Sequence, residues 1–134
     1  MYGIKKVHLE PTQLCQAMCP MCDRVTLDGK LNPYITGESL SIKDIKAMFD
    51  ADFINSIDEM YMCGNLGDPM LAPDCLKIFQ YFRKHNPKIY LSMNTNGGAR
   101  KPEWWAQLAK VVNHVTFSID GLGVTNAIYR KGVK

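Results

Sequence analysis

Hydrophobic residues along this chain fall into short blocks that alternate between two rhythms. Val7-His-Leu-Glu-Pro11 alternates apolar and polar positions and reads as a strand cut off by its proline. Residues 23–40 lose the rhythm, and Gly29, Asn32-Pro33 and Gly37 mark a polar connection of a length that is usually functional or mobile. From Ser41 the period becomes helical: Ile42, Ile45, Met48 and Phe49 share a face, and Ser41 with Asp44 forms a capping box. Met60-Tyr-Met62 is a second strand, running into Cys63-Gly-Asn-Leu-Gly-Asp-Pro69, a turn of residues that tolerate unusual backbone angles. Pro73 and Asp74 open a second helix with an apolar face of Leu76, Phe79 and Phe82, stopped by Asn86-Pro87. Ile89-Tyr-Leu-Ser-Met93 is a third strand, followed by the polar turn Asn94-Thr-Asn-Gly-Gly98. Pro102 and Glu103 open a third helix through Trp105, Leu108, Ala109 and Val112, and Val115-Thr-Phe-Ser-Ile119 is a fourth strand ended by Asp120-Gly121.

The order β-α-β-α-β-α-β, with helices of about a dozen residues between strands, implies parallel strands joined by right-handed crossovers, an α/β fold. The residues of chemical interest then gather at one end. Positions 15–22, 64–69, 94–97 and 118–121 each follow the C-terminal end of a strand, which is the ligand-binding edge of parallel α/β architectures.

Composition narrows the classes. A chain of 134 residues is one domain at most, and 46% hydrophobic with 22% charged residues is ordinary for a soluble globular protein. The net charge of +3 comes from basic residues spread along the chain, so no basic stripe signals nucleic acid, while a weakly basic site for an anionic substrate fits. No run of ~20 apolar residues offers a membrane span. The cysteine count of five is odd, and Met1-Tyr-Gly-Ile-Lys-Lys6 carries no apolar signal-peptide core, which together point to a reducing, cytoplasmic setting.

Cys15-Gln-Ala-Met-Cys19-Pro-Met-Cys22 places three thiols in C-x3-C-x2-C spacing directly behind the first strand. Three thiolates so close can wrap one face of a cubane and ligate three irons, leaving the fourth iron without a protein ligand. As with catalytic zinc, a site short of one protein ligand keeps a position for substrate, whereas a closed site is structural. A zinc site would need a fourth ligand from the distant Cys63, Cys75, His8, His85 or His114, and structural zinc sites usually pair two knuckles. An electron-carrier cluster normally takes four cysteines, and no fourth stands at ferredoxin spacing. Cys63 falls at the rim, and Cys75, on a helix, belongs to the core.

With this spacing, between a strand and a long loop leading to a helix, the sequence resembles the radical SAM superfamily, whose signature is C-x3-C-x2-C. In pattern it is nearest to the molybdenum-cofactor biosynthesis and SPASM peptide-modifying branches. The resemblance implies a partial (β/α) TIM-like barrel with about four of the usual six βα units. Residues 1–134 are then a radical SAM core domain truncated after strand four, before a fourth helix completes, with missing C-terminal strands or a second chain closing the barrel.

It further implies that Cys15, Cys19 and Cys22 hold a [4Fe-4S] cluster whose open iron is chelated by S-adenosylmethionine. An electron from flavodoxin or ferredoxin would drive cleavage to a 5′-deoxyadenosyl radical, which abstracts hydrogen from an unidentified peptide or small molecule. Met21 stands where the family carries an aromatic residue near the adenine, and its polarizable thioether can pack on a ring. Gly67-Asp68-Pro69 matches the last three positions of a Gly-Gly-Glu-Pro type motif, with Asp68 for glutamate and Leu66 for the first glycine. Asn94 and Ser118 fall where the family places polar contacts to the cofactor. Arg130 of Tyr129-Arg-Lys-Gly132 matches an arginine that helps hold it, a guanidinium being suited to a carboxylate. The competing class is a non-catalytic iron–sulfur or zinc module that binds a partner.

Overall fold

The computed structural model describes residues 3–133; Met1 and Tyr2, part of the leader reading, and Lys134 lie outside the described residues. Strands β1 (Lys6–Leu9), β2 (Glu59–Met62), β3 (Tyr90–Thr95) and β4 (His114–Phe117) form one sheet in the order β1-β2-β3-β4, every pair parallel. Helices α1 (Ile42–Met48) and α2 (Ala51–Ser56) join β1 to β2, α3 (Cys75–His85) joins β2 to β3, α4 (Pro102–Leu108) joins β3 to β4, and α5 (Val124–Tyr129) follows. This is a partial (β/α) TIM-like barrel of about four units.

The two faces of the sheet differ as period-two alternation demands. Leu9, Met60, Met62, Leu91 and Met93 are buried in one cluster with Ile45, Ile54, Ile78, Phe79, Phe82 and Leu108 from the helices. Full burial of such side chains stabilises the fold by roughly 1.5–3 kcal/mol each. The opposite face carries the laterally paired row His8, Tyr61, Ser92 and His114, none of them buried, with His8 stacked on Tyr61 at 4.5 Å between ring centroids.

Local sequence accounts for most helix starts. The Ser41–Asp44 capping box is present, with the Ser41 N–H donating to Asp44 Oδ2 over 2.8 Å. Asp74 is the N-cap residue of α3 but makes no capping bond there. Its carboxylate instead accepts from the Ile42 N–H at 3.0 Å, tying the start of α1 to that of α3. Asn86 ends α3 and donates to the carbonyls of Ile54 and Ile57, so the same residue that stops the helix fixes the end of α2.

The structure corrects five expectations. The third helix, read through Val112, ends at Leu108. The helix from Ser41 breaks at Phe49, because Asp50 accepts from the Phe53 N–H and starts α2, and Met48 is left 53% exposed instead of facing the core. Ile78 joins Phe79 and Phe82 as fully buried on α3, while Leu76 is only half-buried. Strand three runs on through Asn94 and Thr95, and strand four ends at Phe117, since pairing stops at Thr95 opposite Phe117. A helix after β4 does form: α5 is six residues long and buries no residue. Among the described residues no helix is long and apolar enough to cross a membrane.

Candidate functional site

The C-terminal ends of the strands open on a cavity of about 330 Å³. Cys15, Cys19, Cys22 and Met21 from the thiol loop, Gly67 and Asp68 after β2, Asn94 on β3, Ser118 after β4 and Arg130 after α5 all line it, as does Cys63. Parallel topology produces this convergence: each loop leaves its strand at the same edge.

The thiol loop is held at several points. Gln13 Oε1 accepts from the backbone N–H groups of Thr36 and Gly37, and Thr12 Oγ1 lies 2.6 Å from Ser39 Oγ, so the long polar connection closes back onto the loop. The Met18 N–H donates to the Lys131 carbonyl at 2.8 Å, and Gly132, at φ +88°, sits where an added Cβ would meet the Gln16 carbonyl oxygen at 2.6 Å. On the other side the Asp68 N–H donates to the Leu14 carbonyl at 2.8 Å. A Cβ on Gly67 would stand 2.0 Å from the Thr12 carbonyl oxygen, so the glycine of the Gly67-Asp-Pro69 turn is required by backbone packing against the thiol loop.

Within this frame the three thiols differ. Burial pushes the Cys15 thiol above its ordinary range, with the Ala17 N–H opposing at 3.4 Å. The Asn96 side-chain amide also lies 3.6 Å from its sulfur. Cys19 is buried, with Arg130 Nη1 3.9 Å from its Sγ. Cys22 Sγ lies 3.9 Å from the Asn65 carbonyl oxygen. Among the described residues no group of three or more His, Cys, Asp or Glu side chains gathers closely enough to hold a metal ion. A single zinc would need its sulfurs about 2.3 Å from one point. In an iron–sulfur cubane each thiolate meets a different iron, so three thiols around a shared cavity need not converge on one point.

The polar lining is equally specific. Asp68 is 5% exposed; its carboxylate accepts from Thr95 Oγ1 at 2.7 Å, the Asn96 N–H at 2.8 Å and the Met70 N–H at 3.2 Å. The acid of the turn is thus consumed in holding β3's end against the post-β2 loop. Arg130 pairs with Asp120. Asn94 is exposed at the rim, the Ser118 N–H donates to the Thr95 carbonyl at 2.8 Å, and Met21 is 82% exposed. The Cys63 carbonyl oxygen lies 3.0 Å from His8 Nε2. Cys75 is outside the site: fully buried 3.9 Å from Met62 Sδ, it has its thiol pushed up to about 12 by burial.

Sequence reasoning missed Arg24, Thr95 and Asn96, which line the same cavity. Thr95 and Asn96 belong to the polar turn already singled out, and only the bonds to Asp68 and Cys15 distinguish them from Asn94. Arg24 stands two residues after Cys22, where a lone cation in a polar loop has no pattern to mark it.

Fold and cavity together define a class: a parallel β/α protein whose C-terminal rim carries a three-cysteine loop. The model of the Radical SAM superfamily matches residues 9–132, and the chain belongs to that superfamily. No protein of curated function matches the chain. Among solved structures it is similar to BtrN, crystallised in complex with AdoMet and 2-DOIA, with a TM-score of 0.68 and 12% identity. The likeness covers 97% of this chain and 50% of that one, so it is a likeness of fold, and the chain spans about half the length of that relative.

Proposed function

We propose that this chain is the catalytic core of a radical SAM enzyme acting on a peptide or small-molecule substrate. The observation that carries the reading is the convergence of Cys15, Cys19 and Cys22 with the polar ends of β2, β3 and β4 on one cavity. Cys15, Cys19 and Cys22 would hold a [4Fe-4S] cluster, and S-adenosylmethionine would occupy the rest of the cavity. When bound and reduced by a donor such as flavodoxin or ferredoxin, the cluster supplies the electron that cleaves S-adenosylmethionine to methionine and a 5′-deoxyadenosyl radical.

The chain's own residues then bind, orient and shield. The Gly67-Asp68-Pro69 turn, fixed by Thr95 and Asn96, presents its backbone to the cofactor's amino group. Arg130, oriented by Asp120, offers a guanidinium to the cofactor's carboxylate, a pairing of planar forks. Asn94 and Ser118 supply neutral polar contacts, and Met21 packs at the mouth against the adenine. The branch proposed is that of the molybdenum-cofactor and SPASM enzymes, on the resemblance of Tyr129-Arg-Lys-Gly132 to their sequence after strand four. Among the described residues β4 pairs only with β3, and we read its free edge as the seat of further strands, from a continuing polypeptide or a second chain. The setting proposed is cytoplasmic and reducing.

Anaerobic reconstitution with iron and sulfide tests the reading. It predicts a [4Fe-4S] cluster whose EPR spectrum changes when S-adenosylmethionine is added. A cluster indifferent to the cofactor, or tight zinc binding in its place, would assign the chain to the non-catalytic class.

A further inference from the structure

Among the described residues Arg24 is the one buried cation. It is 5% exposed. Its Nη1 donates to the carbonyls of Gln13 and Leu66, and its Nη2 to the Cys15 carbonyl at 3.4 Å. Its Nε is buried without a partner. Among the described residues no carboxylate pairs with it. Asp68 lines the same cavity, but its oxygens are taken by Thr95, Asn96 and Met70. A buried charge is costly to hold unless it is paired. Three carbonyl dipoles offset part of that cost and leave the net charge uncompensated.

The thiol loop beside Arg24 supplies the candidate partner charge. Three thiolates on a cubane of charge 2+ leave one net negative charge, and one-electron reduction adds a second. We propose, resting on the reading of Cys15, Cys19 and Cys22 as cluster ligands, that Arg24 is the counter-charge of the thiol loop and a positioning residue for it. Its fork fixes the backbone at Gln13, Cys15 and Leu66, and its charge favours the reduced, more negative state of what the loop holds. Net charge and nearby hydrogen bonds are among the terms that set iron–sulfur potentials. Removing a cation beside the cluster should therefore make reduction harder.

The experiment reconstitutes the full chain and its Arg24→Gln and Arg24→Lys variants anaerobically. It measures iron per chain and the midpoint potential of the loaded fraction by a mediated titration followed by EPR. The counter-charge predicts a more negative potential for Arg24→Gln and a value close to wild type for Arg24→Lys, which keeps the charge and loses the fork. Equal potentials in all three proteins, with only iron content altered, would make Arg24 a structural clamp and overturn the proposal. Should Arg24→Gln fail to load, Arg24→Lys decides: loading at the wild-type potential supports the counter-charge, and failure there too overturns it. If the wild type itself takes up no cluster, the ligand reading fails first and this one with it.

Discussion

Cys15 and Cys75 are both desolvated thiols, yet one borders an open cavity and the other is sealed in the core. Single Cys15→Ala, Cys19→Ala or Cys22→Ala variants should lose the cluster, since two thiolates cannot hold a cubane with an open corner, while Cys63→Ala and Cys75→Ala should keep it. Iron and sulfide content read the difference; loss in Cys63→Ala would mean four protein ligands and no open iron. Cys75 carries a second expectation. Burial, aided by Asp68 and opposed by Arg100, keeps its thiol protonated up to about 12, whereas the unfolded chain ionises it near 9.0. The folded state thus binds the extra proton between those values. The stability Cys75 contributes is whole below about pH 9 and is lost as pH rises through about 12, at up to about 1.4 kcal/mol per pH unit. Urea unfolding of Cys75→Ala should show a shallower alkaline decline than wild type. The three cysteines of the loop were legible as a group because their relation is local in sequence. The Arg24 contact to Leu66 spans 42 residues and that of Asn96 to Cys15 spans 81, and no local pattern encodes either.

Among the elements, strand existence, order and most helix starts could be read from period and caps, and boundaries could not. One helix was read between the first two strands, ending its apolar face at Phe49; the bond that Asp50 accepts from the Phe53 N–H makes it the cap of a second. The loops after β2, β3 and β4 are where function is to be tested. Arg130→Ala and Ser118→Ala should weaken S-adenosylmethionine binding without lowering iron content. Loss of a charge-assisted hydrogen bond costs roughly 1.5–3 kcal/mol, about one to two decades of affinity for Arg130 by calorimetry. Unchanged affinity in both variants would remove them from the site. Asp68→Ala leaves Thr95 Oγ1 and the N–H groups of Asn96 and Met70 without their acceptor. It should cost upward of about 2 kcal/mol of unfolding free energy by denaturant titration, unsatisfied buried groups costing about 1–3 kcal/mol each.

For the molecule as a whole, the alternation of strands and helices carried both the parallel sheet and the shared rim, because crossover handedness leaves little topological choice. What it did not carry is α5, whose short apolar run borders a glycine-rich turn and packs little. Phe117, Ile119, Leu122, Val124 and Ile128, in β4 and the segment that follows it, stand exposed, with Leu122 at 86%. An open edge next to an apolar patch invites pairing. The isolated 134-residue polypeptide should therefore self-associate in light scattering and cleave S-adenosylmethionine slowly at best. A monodisperse monomer with substrate-coupled turnover would show that the four-strand unit suffices.

The restraint that residues 130 and 131 place on the thiol loop also sets an order of events at the ribosome. Arg130 lies 111 residues after Cys19. At translation rates of ~5–20 residues per second, the three cysteines leave the ribosome roughly 5–20 s before the segment that closes over them exists. Through that interval the nascent thiols are open to oxygen and stray metal. Nascent chains stalled short of residue 130 should alkylate at Cys19 faster than completed ones, a difference that quantitative mass spectrometry of the modified cysteine would read directly.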